Sequence, residues 1–271
     1  MSLYTHVCCP NDHVTLSYDT QDDPEFDAWL KKFYQDPENT ALYDEAMIRK
    51  VAEELYAGVE KGFGKSLADI DYNTPDAEML RALRENVYIF SAYKNHQQLL
   101  EVSSKLVDEA GKLREFAAFK REATKVNQVF NQRYLRVEYN SAVAQGQMAS
   151  RWMEVEATKD ELPYLTVLTV GDANVRPAHQ AINGLTLPAD HSYWKTHWPP
   201  FDWECRCDVI QSKNKKVTPD EKIVYLQVPD TFKGNVGIDK KVFKDHPYFK
   251  EVDNDTKNEL EILAKKLNKD E

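Results

Sequence analysis

Long apolar runs are missing from this chain. No stretch of its 271 residues approaches the roughly 20 consecutive apolar positions that cross a bilayer, so no membrane-spanning helix is expected. Cysteine is scarce. Four in the whole chain are too few for the disulfide framework of a small secreted domain. The first residues show no basic segment followed by an apolar one, so no secretory leader is expected either, and synthesis in a reducing cytoplasm follows. Positive charge is in the minority, with 35 Lys and Arg against 45 Asp and Glu and a net charge of −10. That balance argues against a protein that coats nucleic acid, which needs a clustered positive field. Internal repeats and low-complexity tracts are also absent.

What is present is enough for a core. Hydrophobic residues make up 42 % and aromatics 11 %, in a length that suits one large domain or two ordinary ones. Phe26, Trp29, Leu30 and Phe33 recur at i, i+3, i+4 and i+7, which predicts a helix from Pro24 to about Asp36. Ile48, Val51, Leu55 and Val59 predict a second from about Leu42 to Phe63, broken by the glycines and polar residues that follow. Thr74 as N-cap and Pro75 at the first helical position open a third, carried by Leu80, Leu83, Val87 and Phe90 to about Glu109, with Gly111 as stop or kink. From Leu113 to about Glu156 there is no proline and one glycine, Gly146, which reads as one long helix or two in series.

After Pro163 the texture changes. Tyr164–Val170, Cys205–Ile210 and Ile223–Val228 are short β-branched and aromatic runs that predict strands, separated by loops rich in Pro, Gly and Asn. A closing helix puts Leu260, Leu263, Ala264 and Leu267 on one face behind an Asp255 or Thr256 cap. The expected fold class is α+β: a mostly helical region over residues 1–160, then a small α+β domain with a short sheet over residues 161–271.

The chemistry concentrates between Val175 and Val209, which holds three of seven histidines, three of five tryptophans and two of four cysteines. On a strand, Cys205 and Cys207 would point to one face about 6.5–7 Å apart, within reach of a common zinc ion. His179 would be a third ligand, and His197, His191 or Asp190 a fourth, giving a closed structural site. Two inert buried cysteines, or a disulfide to Cys8 or Cys9, are the competing readings. Cys8 and Cys9 themselves sit near His6 and His13 and read as a terminal segment. Arg176 and His179, three apart, share a face if helical and would suit an anion or proton site. An Arg tied to Asp172 or to a backbone carbonyl is favoured over that, because no second acid–base group follows at a telling spacing. Trp194, Trp198 and Trp203 with Pro199 and Pro200 read as packing over a loop in preference to a ligand-stacking wall.

Taken in order, Asp172, Val175, Arg176, Pro177, His179, Gly184, Asp190, Trp194, Pro199, Pro200, Cys205, Arg206 and Cys207 resemble the phage Mu F-like minor head proteins, the phage head morphogenesis family. Leu135–Trp152, with Glu138 and Asn140, resembles the helix that precedes this core. Residues 86–120 and 242–249 are similar to further parts of the family, so the likeness is expected from about Asp44 onward. His191 departs from it, standing where a second acid is expected. The resemblance implies a minor capsid protein of a phage or prophage, located in the virion head near the portal. It would contact portal and other head proteins and assist DNA packaging or delivery, with no settled enzymatic activity. A nuclease-like or ADP-ribosyltransferase-like enzyme using Arg176 and His179 is the alternative.

Overall fold

The computed structural model describes residue 16 and residues 23–213 and 216–269. The readings placed on His6, Cys8, Cys9 and His13 fall outside them. Five helices come first: α1 (Pro24–Gln35), α2 (Glu45–Phe63), α3 (Pro75–Ser103), α4 (Phe116–Gln128) and α5 (Leu135–Thr158). Then follow β1 (Tyr164–Leu168), the short α6 (Pro177–Gln180), β2 (Thr186–Pro188), β3 (Asp208–Ser212), the short α7 (Val236–Asp239) and α8 (Asn254–Lys269). The α+β expectation holds. No helix among the described residues is long and apolar enough to cross a membrane.

Each helix forms where its apolar stripe can be buried. Phe26, Trp29, Leu30 and Phe33 of α1 are all buried, as are Ile48, Val51, Leu55 and Val59 of α2 and Leu80, Leu83, Val87 and Phe90 of α3. Removing each such side chain from water is worth roughly 1.5–3 kcal/mol. Caps mark the starts. Asp44 Oδ1 accepts from Met47 N at 3.0 Å, and Thr74 Oγ1 accepts from Ala77 N at 3.2 Å. Asp253 caps α8, its Oδ1 accepting from Asp255 N and Thr256 N, so the cap lies two residues before the earliest expected one.

The chain divides into two compact units that interleave in sequence. One comprises the described residues of 57–83 and 138–245. The other comprises the described residues of 14–56, 84–137 and 246–271. The change from helix to sheet after Pro163 falls inside the first of these.

In the second unit α3 ends at Ser103, six residues short of expectation. The Ser103 and Ser104 hydroxyls bond back to the carbonyls of Leu100 and Glu101 at 2.7 and 2.6 Å, and Asp108 Oδ1 accepts from Ala110 N and Lys112 N in a turn closed by Gly111 at φ 77°. α4 and α5 form one helical run joined by a π-helical stretch, Val129–Tyr134, where the Leu135 N–H reaches back to the Phe130 carbonyl. That carbonyl also accepts from the buried Lys94 ammonium at 2.8 Å.

In the first unit α2 and α5 approach so closely that a Cβ on Gly62 would overlap the Val143 carbonyl, and one on Gly146 the Val59 carbonyl. The sheet has the order β2-β1-β3, antiparallel throughout. Thr166 and Thr186 pair across it, their hydroxyls 2.8 Å apart. Two expected strands need correction. Cys205–Ile210 begins as a turn, with Glu204 left-handed at φ 54° and Cys205 N bonded to Asp202 O, so β3 starts only at Asp208. Ile223–Val228 is not a strand: its carbonyls at Val224 and Leu226 take side-chain partners, Tyr193 Oη and His197 Nε2, instead of a neighbouring ladder.

Candidate functional site: a histidine and two cysteines

The loop between β1 and α6 sets the frame. Gly171 turns at φ 75°, and Pro177 occupies the start of α6, where a missing N–H is harmless. His179 thereby sits in the single turn of α6, buried, in a T-shaped contact with the Phe201 ring at a centroid separation of 5.7 Å. The chain returns through Gly184, whose φ of 81° lets its N–H bond to the Val167 carbonyl at 2.9 Å.

Cys205 and Cys207 approach from the other side. Their sulfurs lie 3.6 and 3.7 Å from the same atom, His179 Nδ1. All three donor atoms fall within 4.8 Å of one another, closer than the 6.5–7 Å expected on a strand, because the tight turn at Glu204 folds the segment. Neither cysteine is in a disulfide. The neighbouring Cys207 and then His179 hold the Cys205 thiol well below its ordinary range, against the opposing effect of burial. A cavity of about 20 Å³ adjoins the three residues, with Arg176 and Glu204 also on its wall.

Arg206, between the two cysteines, points away to Asp172, Nη1 and Nη2 meeting the two carboxylate oxygens at 2.7 and 2.8 Å. This pairing, and the Asp172 contact with Asn174 N at 3.0 Å, holds the Asp172 carboxyl below the usual carboxylate range, Arg206 being the larger cause. Arg176 therefore takes other partners. Its Nη2 donates to the Trp203 carbonyl at 2.9 Å and its Nε lies 3.5 Å from the Asp202 carboxylate. This is the backbone tie favoured from the sequence.

The remaining marked residues lie outside this cluster. His197 is held by Thr196 Oγ1 at 2.8 Å and the Leu226 carbonyl at 3.2 Å and stacks on Tyr193, so the structure does not bring it to the cysteines. Burial depresses its imidazolium form. His191 Nδ1 accepts from Tyr193 N at 3.1 Å, and Asp190 is exposed. Trp194 and Trp198 are fully buried, their indole N–H groups donating to Pro188 O at 2.8 Å and Met148 O at 3.0 Å. Pro200, joined to Pro199 by a cis bond, is buried with them. The tryptophans pack the loop.

Asp202 and Glu204 were missed in the sequence. Glu204 Oε1 accepts from Asn140 of α5 at 3.3 Å, tying the cysteine turn to that helix. The one signal was their adjacency to the aromatic residues of "PPFDWECRC".

A helical run thus leads into a small antiparallel sheet that carries a His–Cys–Cys loop. Residues 108–210 match the family described as Phage Mu protein F like protein. It is 32 % identical over 99 residues to the Mu-like prophage FluMu F protein of Haemophilus influenzae, covering 34 % of this chain and 23 % of that protein. It is 34 % identical over 77 residues to the putative capsid assembly protein F of Escherichia phage Mu, covering 28 % and 18 %. The chain thus matches under a quarter of the length of either relative. The likeness expected at residues 44–107 and 242–249 lies outside the matched family residues. No solved structure matches the chain.

Proposed function

We propose that this chain serves in phage or prophage head morphogenesis as a minor capsid protein. The observation that carries the reading is the family match over residues 108–210, which contain the Asp172–Cys207 loop and the helix before it. The capsid-assembly role named for the phage Mu relative supports it. In this reading the protein is made in the bacterial host cytoplasm and enters the virion head near the portal, in few copies. Its partners are the portal and other head proteins, and it helps DNA packaging or delivery. The net charge of −10 supports protein partners over a role coating DNA.

The test is co-expression with the portal and other head proteins of the same prophage, followed by purification of particles. The chain should co-sediment with portal-containing particles and be lost from particles assembled without portal. Recovery only in the soluble fraction, with heads complete, would overturn the reading.

A further inference from the structure

We propose that His179 Nδ1, Cys205 Sγ and Cys207 Sγ bind one zinc-class divalent ion, with a water in the adjoining cavity as fourth ligand. The inference concerns the loop itself and stands apart from the head-assembly role.

Geometry is the first support. A tetrahedral ion bound at about 2.3 Å to sulfur and about 2.0–2.1 Å to nitrogen sets those two donors about 3.6 Å apart. The observed separations are 3.6 and 3.7 Å. Both sulfurs meet the same nitrogen, a convergence that thiol–imidazole hydrogen bonding by itself does not require, since a thiol is only a weak donor.

The second support is how the three residues are held. Each is aimed by contacts outside the cluster: His179 by the Pro177 start of α6 and Phe201, the cysteines by the left-handed Glu204 and by Arg206 drawn out to Asp172. The donors therefore stand in place before an ion arrives.

Chemistry selects the ion. Two thiolates and a neutral imidazole favour zinc over magnesium or calcium, which prefer oxygen. Two thiolate charges also neutralise a divalent cation, which suits a centre where His179 and Cys205 are buried.

The neighbours of the three donors define the fourth position. His197 and His191 are engaged elsewhere, and no further His, Cys, Asp or Glu among the described residues joins the group. The cavity of about 20 Å³ beside the ligands exceeds the 10–15 Å³ or so that one water needs. The ion would staple the α6 loop to the approach to β3, and its open position would face Arg176 and Glu204.

The experiment uses the full chain in a Cys8→Ser, Cys9→Ser background, so that Cys205 and Cys207 are the only thiols. Elemental analysis of the purified, folded protein should give about one zinc per chain. His179→Ala, Cys205→Ser and Cys207→Ser should each lose it, while His197→Ala keeps it. X-ray absorption at the zinc edge should find two sulfur and two nitrogen or oxygen neighbours. Thiol labelling of the folded parent should be slow and become fast after chelation, a readout that does not depend on any variant folding. A folded, zinc-supplied chain that holds no metal overturns the proposal, as does zinc retained when both cysteines are replaced. Loss of zinc in His197→Ala overturns the water-filled fourth position.

Discussion

Arg206 grips Asp172 across 34 residues of chain, its two terminal nitrogens 2.7 and 2.8 Å from the two carboxylate oxygens. The pair closes the loop that carries His179 against the turn that carries Cys205 and Cys207. Because both side chains are more than a third exposed, the bond orients more than it stabilises.

Asp172→Asn is therefore expected to lower the melting temperature only slightly at pH 7, and Arg206→Lys to act alike, since an ammonium cannot reproduce the two-pronged contact. The Asp172 carboxyl is lowered in the folded chain, so its contribution is fully present above about pH 4 and is lost as pH falls through the lowered folded value. Melting curves of both variants from pH 7 downward check this. A large loss at pH 7 would contradict it.

Gly146→Ala sets two effects against each other. Alanine favours a helix over glycine by about 1 kcal/mol. The new Cβ, however, would overlap the Val59 carbonyl, which is backbone and cannot rotate aside. The overlap should win, for a net destabilisation of about 1–3 kcal/mol in urea unfolding. A more stable variant would show that α2 and α5 separate freely.

Trp198 is buried, and its indole donates to Met148 O at 3.0 Å. Trp198→Phe forfeits that bond and part of the packing, at an expected cost of about 1–3 kcal/mol. Trp203, only half-buried, should cost less when changed to Phe. Equal costs would contradict the packing role assigned to Trp198.

His246 is a buried titrating group of the second unit. Burial first, then Lys94 and Lys250, push its pKa down to about 3, and its Nδ1 accepts from Tyr248 N at 3.2 Å. An unfolded chain takes up this proton below about pH 6.5, the folded chain only near pH 3. Stability should accordingly fall by up to about 1.4 kcal/mol per pH unit on acidifying through that window. His246→Asn, which keeps an acceptor for the Tyr248 N–H, should show a shallower slope between pH 6.5 and 5. An unchanged slope would remove His246 from the account.

The helices were legible because their signals are local. A stripe such as Phe26, Trp29, Leu30 and Phe33 specifies both the helix and the face it buries, and Thr74 with Pro75 specifies where one begins. The ends were less legible. α3 stops at Ser103 because two serine hydroxyls compete for the last carbonyls, and no apolar period reports that. The strands fared worse. β1 formed where expected, but Ile223–Val228 has strand composition and, among the described residues, no strand pairs with it, and a ladder needs two partners.

Sequence alone determined the helical stripes, the α+β class, the family likeness and the residues His179, Cys205 and Cys207 as the ones to watch. Tertiary structure decided what each of them meets. The strand that would have aimed the cysteines is a turn, yet the turn brings both sulfurs to one imidazole nitrogen. His197, a candidate for the fourth ligand in the sequence, is held by Thr196 and Leu226 instead. Residue type and period are properties of neighbours along the chain. Convergence on one atom depends on the turns at Gly171, Gly184 and Glu204 and on Arg206 choosing Asp172, and those are settled only when the loop closes.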